Sequence, residues 1–156
     1  MLRLLLERST SVASAVEAVG GLHLAGSACV ALADPDDAVF VEITPGGRAV
    51  LPARVHTNHC LDPALRSRQG ALDFLSDSED RLARAAALSA RGVSLEDLLA
   101  DTDGGYQAID QPSDPALEVH DRTETVVAVV IEASRCTLRI APGRPSRTGF
   151  TQHVAL

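Results

Sequence analysis

The spacing of apolar and polar positions changes several times along this chain. Residues 2–8, Leu-Arg-Leu-Leu-Leu-Glu-Arg, predict a short helix. Ser11 is placed to cap a second helix, Val12 to Val19, stopped by Gly20-Gly21. The period then shortens. Cys29 to Ala33 and Ala38 to Ile43 are apolar runs on either side of Asp34-Pro35-Asp36-Asp37, the pattern of a hairpin. Val39, Val41 and Ile43 alternate with Phe40 and Glu42, so the second strand has one apolar and one mixed side. Pro45-Gly46-Gly47 predicts a turn, Ala49-Val50-Leu51 a third strand, and Val55 to Asn58 a fourth.

Helical spacing returns over Ala64 to Leu75 and, more strongly, over Ser78 to Arg91. In the second stretch Leu82, Ala85, Ala86 and Leu88 share a face, with Glu79, Asp80, Arg81 and Arg84 on another. Acidic residues open it, Arg91 ends it and Gly92 stops it, as the helix dipole favours. Ser94 caps a short helix, Leu95 to Ala100. Residues 101–121 are rich in Asp, Gly and Pro and read as a long loop of the kind that covers or forms a site. Thr123 to Ala133, with five valines and isoleucines, reads as a strand. Thr137 to Ala141 pairs with it through Ala133-Ser134-Arg135, and Pro142-Gly143-Arg144-Pro145 ends the sheet. Connections this short cannot make parallel crossovers. The order of elements predicts an α+β fold of antiparallel sheets covered by helices.

Composition narrows the class. A length of 156 residues with 46% apolar content fits one domain, residues 1–156. The net charge of −7 and the lack of a basic stripe with aromatics argue against a nucleic-acid partner. The first residues are too short and charged for a signal peptide, and no apolar run nears the length of a membrane span. A cytoplasmic protein without membrane contact is expected. Cys29, Cys60 and Cys136 are widely spaced and form no Cys-x-x-Cys pair, which favours reduced thiols over disulfides or a zinc knuckle.

The candidate chemistry centres on Val55-His56-Thr57-Asn58-His59-Cys60, polar side chains gathered at a strand end. A neutral amide such as Asn58 suits the stabilisation of a developing oxyanion. His56 and His59 would point to opposite faces of a strand, and a metal site there needs a third ligand such as Cys60 or Asp62. Histidines hydrogen-bonded at a strand end fit the pattern better, and no metal or cofactor is expected. Cys60 beside His59 suggests a nucleophile pair, but such pairs meet in space rather than by adjacency. Asp34-Pro35-Asp36-Asp37 lacks the glycine and terminal Glu of a calcium loop. Arg122, at the head of the most apolar strand, reads either as a site cation or as a partly exposed strand-start arginine.

With these residues in view, the chain resembles the C-terminal half of the isopenicillin N acyltransferase family. The resemblance begins with Leu4-Leu5-Leu6-Glu7 and Ser11-Val12-Ala13-Ser14-Ala15-Val16. It continues through Ala25-Gly26-Ser27-Ala28, Ala31-Leu32-Ala33-Asp34 and Val41-Glu42-Ile43-Thr44-Pro45. Its sharpest block is His56-Thr57-Asn58-His59, followed by Asp77-Ser78, Arg81, Gly92-Val93-Ser94-Leu95-Glu96-Asp97-Leu98 and Leu99-Ala100-Asp101. Thr123-Glu124-Thr125-Val126 and Ala141-Pro142-Gly143-Arg144-Pro145 close it. The resemblance implies autoproteolytic acyltransferases and hydrolases of the N-terminal-nucleophile class, whose full fold is an αββα sandwich. A freed cysteine thiol is the nucleophile and its own α-amine the base.

Residue by residue, Asn58 matches the family's oxyanion-holding asparagine and Arg122 its arginine beside the nucleophile, so the two are expected close in space. His56 and His59 are then expected to face the substrate. The family's nucleophilic cysteine lies upstream of these residues. Cys29 falls where the family commonly has asparagine, Cys60 where it has an aromatic, and Ile109-Asp110-Gln111-Pro112 where it often has Ile-Cys-Arg-His. The expectation is a partial N-terminal-nucleophile domain, inactive without a partner half that carries the thiol. Its substrate would be a small acyl or amide compound, and its exposed sheet surfaces favour homo-oligomers. The rival expectation is a non-catalytic truncated remnant or interaction module.

Overall fold

Two short helices open the chain, α1 (Leu2–Arg8) and α2 (Val12–Gly20). Ser11 starts α2 through a reciprocal cap: Ser14 N–H donates to Ser11 Oγ at 3.2 Å, and Ser11 N–H donates to Ser14 Oγ at 3.1 Å. Asp34 adds a carboxylate acceptor for Val12 N–H at 2.7 Å. At the other end Arg48 donates to the Gly20 carbonyl, a cation where the helix exposes its last acceptors. These helices cover a meander of β1 (Ala28–Ala33), β2 (Ala38–Thr44) and β3 (Gly47–Leu51). The register pairs Val30 with Val41 and then Val50, and Cys29 with Glu42 and then Ala49. Leu5, Val19, Val30, Val41 and Ile43 form the core between helices and sheet, joined by Val16, Leu32 and Val39. A single turn, α3 (Pro63–Arg66), follows, with Asp62 as its cap.

The computed structural model describes residues 1–22, 24–52, 54–69 and 77–155. Its contacts divide into two compact units, Met1–Ser76 and Asp77–Leu156. The second unit contains α4 (Ser78–Ala90), α5 (Leu95–Leu99), β4 (Val127–Glu132), β5 (Thr137–Pro142), α6 (Pro145–Thr148) and β6 (Gln152–Ala155). Its sheet is another antiparallel meander, in the order β4-β5-β6. Helices with antiparallel sheets make the chain α+β, as the patterning predicts. No helix among the described residues is long and apolar enough to cross a membrane.

Four elements differ from expectation. Val55 to Asn58 is not a strand but part of an irregular turn whose polar groups bond to side chains. The helix expected from Ala64 to Leu75 runs only over Pro63–Arg66, and residues 70–75 lie outside the described residues. The strand expected from Thr123 begins at Val127, because β5 supplies six partners and no more. Upstream, Thr125 pairs with Gln111, each N–H reaching the other residue's oxygen at 3.0 Å. The sheet does not end at Pro142-Gly143-Arg144-Pro145: that segment leads through α6 into β6, a third strand.

Candidate active site

β2 is the middle strand of its sheet, and its residue Glu42 is only 1% exposed. Glu42 projects on the side of the sheet opposite the helices, between the small side chains of Cys29 and Ala49. Short neighbours leave space for the turn after β3 to lie over the carboxylate. Three donors then converge on it. His56 Nε2 stands 2.7 Å from Oε1, Leu61 N–H donates to the same oxygen, and Asp62 N–H donates to Oε2 at 3.1 Å. The His56 ring tilts against Phe40 with 5.4 Å between centroids. A buried charge held this way is strongly anchored, because every lone-pair direction in use has a donor.

The same turn is fixed from other directions. Cys60 N–H donates to the Gln69 side-chain oxygen at 3.0 Å. Asp62 Oδ1 accepts from Ala64 and Leu65 N–H, both at 3.0 Å, and so starts α3. His59 is 1% exposed, with Nδ1 3.4 Å from Thr57 Oγ1. Asn58, between two anchored histidines, is exposed at the crest of the turn. An amide side chain can donate to developing negative charge without changing its protonation state. Among the described residues no cluster of three His, Cys, Asp or Glu side chains is arranged to hold a metal ion.

The environment of both thiols in this unit favours the protonated form. Partial burial and the Glu42 charge push Cys29 up to about 11. Burial, then Glu42 and Asp62, push the Cys60 thiol up as well. A reactive thiol needs the opposite environment.

Arg122 belongs to the second unit and does not head a strand. It follows a turn of 3₁₀ helix at Val119–Asp121, and its guanidinium closes on its own loop. Nε donates to the Leu117 carbonyl at 2.9 Å and Nη2 to the Pro115 carbonyl at 3.1 Å. Sequence reasoning missed a second anchored carboxylate here. Asp110 is fully buried, bonded through Oδ1 to Arg144 Nε at 3.1 Å and through Oδ2 to Ser146 N–H at 3.0 Å. Glu42 was also missed. Its one signal was an acid inside an otherwise apolar strand, which is rarely buried without partners.

Compared with known proteins, residues 1–147 match the family model described as acyl-coenzyme A:6-aminopenicillanic acid acyl-transferase. No curated protein matches the chain.

Proposed function

We propose that this chain, which belongs to the acyl-coenzyme A:6-aminopenicillanic acid acyltransferase family, supplies the oxyanion-holding part of an N-terminal-nucleophile acyltransferase or amidohydrolase. Its nucleophile is the N-terminal cysteine of an upstream half that carries the family's Cys-led strands. The observation that carries this reading is the anchored turn His56–Asp62 with Asn58 at its crest.

In the proposed reaction the partner's cysteine sulfur attacks an amide or thioester carbonyl carbon while its α-amine takes the thiol proton. Negative charge moves to the carbonyl oxygen, where the Asn58 amide N–H donates to it. Collapse expels the amine or thiol leaving group, protonated by the same α-ammonium, and leaves a thioester. An acceptor amine or water then attacks that thioester, and the enzyme thiol leaves with its proton restored. On the resemblance alone, the segment from His56 to His59 borders the acyl or amide substrate. On the resemblance alone, Arg122 is the cation that lowers the pKa of the attacking thiol.

The test assays thioester and amide turnover by the purified chain, alone and mixed with a polypeptide carrying the family's Cys-led strands. Turnover is expected only in the mixture. Asn58→Ala is expected to lower it by about 10²–10³-fold, the usual cost of an oxyanion donor. Turnover by the chain alone, lost on Cys29→Ala or Cys60→Ala, would overturn the reading.

A further inference from the structure

We propose that Glu42 is the positioning residue of this site: it fixes the His56 ring in one tautomer and holds the turn that presents Asn58. The argument starts from donor and acceptor chemistry. An ionised carboxylate only accepts hydrogen bonds. Three donors, His56 Nε2 and the Leu61 and Asp62 N–H groups, meet the two oxygens of a residue only 1% exposed. Nε2 therefore carries its proton toward Glu42, and in the neutral ring Nδ1 is left as the acceptor. A histidine so held offers one defined lone pair.

The two backbone bonds act on the chain rather than on a ring. Leu61 and Asp62 follow Asn58 within the turn, and Asp62 is the cap of α3. Glu42 ties both to the central strand of a sheet, the most rigid element nearby. His56, two residues before Asn58, is tied to the same carboxylate. Asn58 is thus bracketed by bonds that end on a single side chain. A donor must be held near its working geometry before charge develops, and a loop alone does not provide that. Gln69, bonded to Cys60 N–H, supports the turn as well.

The functional meaning of this inference rests on the role proposed for Asn58. Its test does not, because it reads the ring and the amides of the full chain without any substrate. The ¹⁵N shifts of the His56 ring should show the Nε2–H tautomer in the wild type. Glu42→Gln keeps the shape but leaves one accepting oxygen for three donors. In that variant the ring should become a mixture of tautomers. The Leu61 or Asp62 amide, or both, should exchange with solvent at least about tenfold faster, while amides of β1 and β2 keep their protection.

An Nδ1–H tautomer in the wild type would overturn the proposal even if the variant failed to fold. So would a folded Glu42→Gln whose ring shifts and turn amides match the wild type, even with a lowered Tm. Failure of the mixed assay with these signals as expected would instead sink the role of Asn58 and leave the positioning by Glu42 standing.

Discussion

Cys29 lies opposite Glu42 in the β1–β2 ladder, and its thiol is pushed up to about 11. At pH 8 only about one such thiol in a thousand is ionised, and the thiolate is the reactive form. Alkylation of Cys29 by iodoacetamide should therefore be slow at pH 8. It should rise about tenfold per pH unit until the pH approaches about 11, read by site-resolved mass spectrometry. A second residue-scale outcome concerns Asp110. Replacing it with Ala leaves the largely buried Arg144 guanidinium without its carboxylate. Urea denaturation of Asp110→Ala should show a loss of about 3 kcal/mol or more, as for other broken buried pairs. Neither Glu42 nor Asp110 was legible as an anchor in the sequence. Each one's partners lie far along the chain, 14 to 20 residues away for Glu42 and 34 to 36 for Asp110, and spacing rules reach only a few residues. Asn58 stands out in the sequence as a candidate amide, whereas the strand expected to carry it is a turn.

At the scale of elements, local signals were readable where they act locally. Ser11 caps α2 and Ser94 caps α5 as their sequences predict, because the bonds run within three residues. β4 was misjudged at its start, since β-branched content says nothing about where the partner strand stops. β6 was missed because four exposed residues carry no alternation of burial to read. Asp34 links elements: its carboxylate accepts from Val12 N–H at the head of α2 and from Asp36 and Asp37 N–H in the β1–β2 turn. Those bonds lower its pKa. A lowered folded value means that the stabilisation is present above the unfolded value of about 3.9 and is lost as pH falls through the folded one. Thermal melts between pH 5 and pH 2 should show a shallower fall in Tm for Asp34→Asn than for the wild type.

At the scale of the whole chain, the family was legible because many weak blocks keep their order, and the match over residues 1–147 spans all of them. The same scale shows a liability. β4 pairs on one side with β5, and among the described residues its other edge has no partner strand. Val127, Val129 and Ile131 are 50, 42 and 63% exposed on that strand, an apolar stripe on an edge. Such edges promote association. Light scattering should show the wild type growing in mass with concentration, and Ile131→Lys should reduce that growth.

Both sheets are meanders in chain order. This has a consequence in time. Each strand meets the next after a short closure, so little chain entropy opposes the ladders, and contacts of this kind form early. The Glu42 carboxylate waits for donors 14 to 20 residues further on. Until they arrive it stands in water on an otherwise assembled sheet, at no cost to its charge. Assembly is therefore expected to run from scaffold to site, with the amides of β1 and β2 gaining protection before those of Leu61 and Asp62 in pulsed hydrogen exchange during refolding.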